Sequence, residues 1–370
     1  MIRQMTPVNA KERVVPIDTL RGVALGGVLL VNLLTVFRAP LAGHLLGMDE
    51  PLGPGGTLLL SGVGGLIEFK AFTLFSFLFG VGVAIQAERS AGKDAYFFVR
   101  RFGALLTFGL IHLLLVWNGD ILTLYAACGL LLIPLLRLPA SALAVLGMLL
   151  IGSQGFLSSA VRFPDNTTQR VLTAVALHTY GTGGWQELLA FRWRETVLLI
   201  VPLLVLSFPR TLGLMLWGVA TWRYGLLQGN RWLWWWVLAV SATIGLAGAI
   251  FRKDEVATIP LAFAYAAAVL LWNPRSSWIA SGGQMALTNY LFQSIVFGFV
   301  FYSYGLGYYG RLGVCLTLCI GVVFYCAQLT VSRWWLKRFY FGPFEWLWRC
   351  ISYVRWQPFL REGARFSHET

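Results

Sequence analysis

Charge is what this sequence has least of. Only 12% of its 370 residues are Asp, Glu, Lys or Arg, against 57% hydrophobic, where soluble domains carry roughly 25% charged residues. That shortage excludes an ordinary soluble chain. Acidic groups are the scarcer sign, 16 against 29 basic, and histidine occurs four times. The five cysteines (Cys128, Cys315, Cys319, Cys326, Cys350) lie in apolar or membrane-adjacent sequence without CxxC spacing. They read as small core residues, not as a disulfide framework or a metal site. There is no Walker loop, no GxGxxG after a strand, no HExxH and no Cys/His cluster, which argues against an ATPase, a dinucleotide enzyme and a zinc protease. A net charge of +13 would point to nucleic acid in a soluble protein. In a membrane protein it reflects cations retained in cytoplasmic loops and drawn to anionic headgroups. Membrane lipids, and no nucleic acid, are therefore the expected partners.

What is present is a succession of apolar runs, several near the roughly 20 residues that cross a hydrocarbon core of about 30 Å. Lipid offers unpaired backbone groups no partner, so such runs must be helical. The fold expected is all-α, a polytopic membrane protein of about ten transmembrane helices. The spans fall near 20–37, 58–85, 102–117, up to 136, 140–161, within 196–227, and near 233–251, 256–272, 285–302 and 312–331. Pro202 and Pro209 mark the sixth as kinked or preceded by a re-entrant piece. The beginning, with Asp18 and Arg21 heading the first run, reads as an uncleaved first span. Residues 1–370 read as one membrane domain. Its tail, 332–370, is rich in Trp, Tyr, Arg and Lys and suits the interface. With the N-terminus inside, about 18 Lys and Arg fall on the cytoplasmic side and about 9 outside, so both termini should be cytoplasmic.

Ionisable groups at membrane depth are rare and commonly functional. In "IDTLRG", Asp18 and Arg21 share one helical face. They form either an interfacial anchor or an anion site in which Asp18 orients the guanidinium fork. Asn32 lies on the same stripe, roughly 16 Å deeper. Glu68 and Lys70, two residues apart in "IEFKAF", point to different sides of a helix and need separate partners. In "GLIHLLLVWNGDILTLY", Asp120 either caps the next helix or folds back to orient His112, whose imidazole exchanges protons near neutral pH. Tyr125 adds a hydroxyl to the same motif. Asn289 and Gln293, at i,i+4, serve interhelical hydrogen bonds or a polar cavity. In "GPFEWLWR", Pro343 opens a helix and Glu345 precedes Arg349 by four residues, the favoured order for an ion pair.

Five ordered stretches resemble the YeiB-like family of bacterial inner-membrane proteins: "IDTLRGVALGGVLLVN" (17–32), "KAFTLFSFLFGVG" (70–82), "GLIHLLLVWNGDILTLY" (109–125), "GQMALTNYL" (283–291) and "GPFEWLWR" (342–349). That family is similar to the transmembrane acyltransferases, which include the lysosomal heparan glucosaminide acetyltransferase. The resemblance implies an inner-membrane protein moving an acyl group from cytoplasmic acyl-CoA, a co-substrate and not a resident cofactor, to an extracytoplasmic acceptor. It rests on the D-x-x-R-G opening. His44 occupies the loop that carries the lysosomal enzyme's catalytic His, but the surrounding sequence does not align, so the role is not transferred. The expected site is His112 and Asp120 as the base pair, with Asp18, Arg21 and Lys70 holding the donor. Asn32, Glu68, Tyr125, Asn289 and Gln293 would line a cavity between them. The alternatives are a proton-coupled transporter using Glu68, Lys70, His112 and Asp120 as a relay, and a scaffold in which polar groups only stitch helices together.

Overall fold

Backbone satisfaction inside lipid leaves helices as the economical answer, and the computed structural model is helical throughout its described residues, 15–48, 54–89, 95–228, 231–251, 254–272 and 277–361. The N-terminal flank of the first span, the middle of the basic loop after the second, and the last nine residues of the tail lie outside them. In chain order the helices are α1 (Val15–Asn32), α2 (Leu41–Leu45), α3 (Pro54–Leu66), α4 (Lys70–Arg89), α5 (Ala95–Ile111), α6 (Leu122–Leu135), α7 (Ala140–Gly152), α8 (Gln154–Ala160) and α9 (Asn166–Thr182). They continue as α10 (Trp185–Glu195), α11 (Val201–Arg223), α12 (Arg231–Ile250), α13 (Asp254–Trp272), α14 (Ser277–Gln284), α15 (Ala286–Phe301), α16 (Val314–Arg338) and α17 (Pro343–Tyr353).

Among the described residues, seven helical stretches, some joining two of these helices, are long and apolar enough to cross a membrane, and the bent pair Trp278–Gln284 with Ala286–Phe301 makes an eighth. The shorter apolar helices Leu122–Leu135 and Val256–Trp272 occupy the remaining two positions in the expected series. The protein is a polytopic all-α membrane protein. The sixth crossing differs from expectation. Trp185–Arg223 runs as one continuous helix, with Pro209 inside it and a π-turn at Thr196–Ile200. The break falls in the ninth crossing, where α14 and α15 meet at 85°. The final crossing reaches Arg338, beyond position 332, and α17 then folds back onto α5 and α15.

Glycines set the closest helix approaches. A side chain on Gly80 would strike the Met215 backbone, and one on Gly218 the Phe77 carbonyl, so α4 and α11 touch along their backbones. Gly22 faces Ile279 and Gly283 faces the Asp18 carbonyl, which locks α1 to α14. Small residues of this kind let helices approach where lipid supplies no hydrophobic drive for association. The glycine of "IDTLRG" therefore has a packing role, while its neighbour Arg21 faces elsewhere.

The two ends of the bundle differ. One gathers Arg21, Arg101 and Arg349 and is called here the arginine end. The other, the aromatic end, packs Phe37, Trp117, Tyr180, Phe297, Phe301 and Tyr302 into one buried cluster. Three π-turns border that cluster: Leu33–Phe37, His112–Val116 and Thr196–Ile200. Such turns interrupt the regular ladder and often occur at functional sites.

Candidate functional site

A cavity of about 210 Å³ runs inward from the arginine end. Its mouth carries Arg21, Arg101, Arg349, Gln86 and Gln284; its walls are Leu25, Val28, Phe75, Leu78, Phe79, Val83, Leu105 and Leu287; its floor is Ile121, Leu122, Tyr125 and Tyr290. Arg21 donates to Asp18 Oδ1 at 3.1 Å, the i,i+3 contact expected from the sequence. Gly82 makes room for it, since a Cβ there would lie 2.9 Å from Arg21 Nη2. The Arg101 guanidinium lies 3.5 Å above the Trp348 ring, while Trp348 Nε1 donates to the Arg101 carbonyl at 2.7 Å. Arg349 stands over Phe341 at 4.3 Å. Guanidinium planes stacked on aromatic rings keep their donor edges directed outward.

Glu345 is the carboxylate of this lining. The sequence spacing expects it to pair with Arg349. Its Oε1 accepts from the backbone N–H of Leu287 at 2.7 Å and of Thr288 at 3.0 Å, and Oε2 accepts from the Thr288 hydroxyl. It thereby caps the first turn of α15, whose N–H groups have no intrahelical partner, at the break after Gln284. Withdrawal from water pushes its carboxyl up from the ordinary glutamate value, against the pull of those hydrogen bonds.

Behind the floor lies the pair read from the sequence. His112 Nδ1 and Asp120 Oδ1 are 2.8 Å apart, and both side chains are buried. Asp120 also accepts from Thr123 N at 2.7 Å through Oδ2. The two alternatives read for Asp120 thus coexist on separate oxygens: it caps α6 and holds His112. The carboxylate accepts when Nδ1 carries the proton, the tautomer that leaves Nε2 as the acceptor nitrogen. Nε2 is buried without a hydrogen-bond partner. His112 is 1% exposed and does not line the cavity; the Tyr290 ring, 5.2 Å from it between centroids, stands between. Tyr290 is fixed by its hydroxyl, which donates to the Gly119 carbonyl at 3.1 Å and accepts from Ile121 N at 3.3 Å. The cavity therefore ends one aromatic ring short of the histidine. Tyr125, on the same floor, shares a 2.8 Å hydrogen bond with Ser76.

Other expected site residues lie elsewhere. Lys70 opens α4, twelve residues or roughly 18 Å from the Gly82 that meets Arg21, and its Nζ contacts the Gly64 carbonyl at 3.4 Å. It is not part of the arginine mouth. The helix is broken just before it: Phe69 has φ 60°, so Glu68 and Lys70 do not share one helix. Glu68 Oε1 meets His44 Nε2 at 3.2 Å. Asn32 is buried but outside the cavity lining. Asn289 Nδ2 donates to the Gly282 carbonyl at 3.1 Å and to Ser332 at 3.0 Å, and Gln293 bonds Gln328 at 2.8 Å. Those two stitch α15 to the bend and to α16 and do not face this cavity.

Sequence reasoning missed Arg101 and Arg349, which sit where basic residues normally mark topology. It also missed a buried polar group at the aromatic end. Glu195 Oε2 accepts from Asn118 Nδ2 and from the Tyr180 hydroxyl, each at 2.6 Å, and Arg192 donates to the Leu115 carbonyl at 2.9 Å. Arg192 is 1% exposed and Glu195 2%. Burial beside that carboxylate pushes the Tyr180 phenol well above its usual range. The signal available was "FRWRETVLLI", three charged residues (Arg192, Arg194, Glu195) running directly into an apolar stretch.

Other proteins resemble this chain over most of its length. Residues 195–355 match the family model described as "Protein of unknown function (DUF418)". The uncharacterized protein YxaH of Bacillus subtilis (strain 168) is 30% identical over 403 residues, covering 97% of this chain and 98% of that protein. The uncharacterized protein YeiB of Escherichia coli (strain K12) is 29% identical over 395 residues, covering 96% of this chain and 100% of its own length. No solved structure matches. With likeness running over nearly its whole length, this chain belongs to the DUF418 family that includes YxaH and YeiB.

Proposed function

We propose that this protein is an acyltransferase of the cytoplasmic (inner) membrane. In this reading the arginine end faces the cytoplasm, and Arg21, Arg101 and Arg349 hold the anionic end of an acyl-CoA donor. A hydroxyl acceptor enters from the aromatic end. One juxtaposition supports the reading: a buried His112–Asp120 pair with a bare Nε2, one ring beyond the floor of a cavity whose mouth carries three guanidiniums.

The chemistry asked of these groups is modest. Nε2 takes the acceptor's proton as its oxygen bonds to the thioester carbon. Asp120 holds the imidazolium so formed. The C–S bond then breaks, and the departing thiolate receives that proton, leaving an ester, free CoA thiol and neutral His112. A base so positioned contributes about 10² to 10⁴ in rate. The reading requires the Tyr290 ring to swing off His112 when the cavity fills.

The test is purified protein in lipid nanodiscs with acyl-CoA, following thiol release and CoA binding. Release abolished by His112→Ala, and binding weakened by Arg21→Ala but not by Arg361→Ala, is expected. Absence of any CoA binding at millimolar donor contradicts the proposal.

A second reading, a carrier, draws on the 85° break of the ninth crossing beside the cavity, since discontinuous helices commonly form transport sites. Substrate counterflow in liposomes without chemical change would favour it.

A further inference from the structure

The cavity wall says more about the donor than the arginines alone. Gln86 at the mouth and Phe75 at the deep end of the wall stand eleven positions apart on α4, roughly 16 Å of helix. Over that depth the facing side chains are hydrocarbon: Leu78, Phe79, Val28 and Leu105 among them. Polar groups return only at the floor, as the hydroxyls of Tyr125 and Tyr290. An amide-rich arm threaded through such a shaft would leave buried donors and acceptors unpaired, at roughly 1–3 kcal/mol each. An alkyl chain meets no such penalty and gains from burial. At the mouth, three guanidiniums meet two carboxylates, Asp18 bonded to Arg21 and Glu345 whose oxygens are engaged by α15, a surplus of positive charge. That balance recruits an anion, and the planar forks suit phosphate oxygens.

We infer that the cavity is built for an anionic amphiphile: a phosphate-bearing head at Arg21, Arg101 and Arg349, and an alkyl or long acyl chain filling the shaft toward Tyr125 and Tyr290. This goes beyond the proposed acyl transfer and assigns the cavity a ligand of its own: with the chain in the shaft, the head group and its ester or thioester stay near the mouth, away from His112. The same chemistry is offered by a fatty acyl-CoA and by a phospholipid of the surrounding bilayer.

The experiment measures binding to the full chain in nanodiscs of zwitterionic lipid, against empty nanodiscs to subtract partitioning. The probes are inorganic phosphate, alkyl phosphates of two to twelve carbons, acetyl-CoA, octanoyl-CoA and a lysophosphatidate of equal chain length. Each methylene added up to the floor should tighten binding about two- to fourfold, with a plateau once the shaft is full. Val28→Phe or Val83→Phe should move that plateau to shorter chains, and Arg101→Ala should weaken every probe about tenfold without moving it. Thermal melts of the two shaft-filling variants identify either one that fails to fold, leaving the other to decide. A preference for octanoyl-CoA or for the lysophosphatidate tells the two sources apart; both support the inference. Affinity independent of chain length, or equal for acetyl-CoA and octanoyl-CoA, overturns it, and acetyl transfer measured separately would then still stand. Chain-length dependence without any thiol release keeps the amphiphile site and removes the acyltransferase reading.

Discussion

The two ends of this bundle bury comparable chemistry and treat it in opposite ways. At the arginine end the cations Arg21, Arg101 and Arg349 turn toward one shared space. At the aromatic end Glu195 is closed off by Asn118 and Tyr180, and Arg192 by the Leu115 carbonyl and the Tyr302 ring. The first arrangement turns its cations toward a space; the second packs its charged groups among one another, with Arg192 Nε and Nη2 buried without a hydrogen-bond partner. Between them stands His112, closed on one nitrogen by Asp120 and bare on the other. Burial of a charged or polar group is thus no guide to function by itself. What distinguishes the ends is whether the groups converge on a space or on each other.

The comparison can be broken in several ways, the largest first. Gly80→Leu drives a side chain into the α11 backbone, which cannot yield as a flexible tip would. Folded protein should be lost at both ends together, seen by size-exclusion profile after extraction. His112→Ala should reduce turnover by about 10² to 10⁴ while binding of CoA stays within about twofold of the parent. An equal fall in both would move His112 from chemistry to architecture. Glu195→Ala strands the Asn118 amide and the Tyr180 hydroxyl, at about 1–3 kcal/mol; the melting temperature should drop with little change in anion affinity. If anion affinity instead fell by an order of magnitude, the two ends would be coupled and the contrast drawn here would fail.

Smaller effects sharpen the picture. Glu345 is held with its folded pKa above the unfolded value. Its contribution to stability is therefore fully present below the unfolded glutamate pKa and lost as pH rises through the folded value. Glu345→Gln should flatten that segment of the stability–pH curve, measured by thermal melts in detergent. Gln293→Leu removes one interhelical bond of a kind that averages about 0.6 kcal/mol in membranes, and should leave ligand binding unchanged.

Much of the architecture was legible because lipid makes hydropathy nearly decisive: the described helices follow the expected series of apolar runs. The His112–Asp120 contact was legible because the "NGD" turn returns the chain within reach of the preceding helix end. Three things were not. Arg101 and Arg349 lie among loop and tail cations that the positive-inside rule already accounts for, so nothing local marks them as converging. The break of the ninth crossing carries no proline; "SGGQM" bends there because Gly283 lets α14 sit against the Asp18 carbonyl. Lys70 reads as a donor-holding cation beside Arg21, yet Arg21 meets α4 at Gly82, twelve residues or roughly 18 Å further along. Each miss concerns tertiary direction, which hydropathy does not encode.

The central claim is that the arginine mouth and the shaft down to Tyr125 and Tyr290 serve one ligand. It is tested most directly by an experimental structure of the protein in nanodiscs with octanoyl-CoA. The account predicts density from Arg21, Arg101 and Arg349 down to Tyr125 and Tyr290. A ligand bound on the lipid-facing flank, with the shaft unfilled, would contradict it.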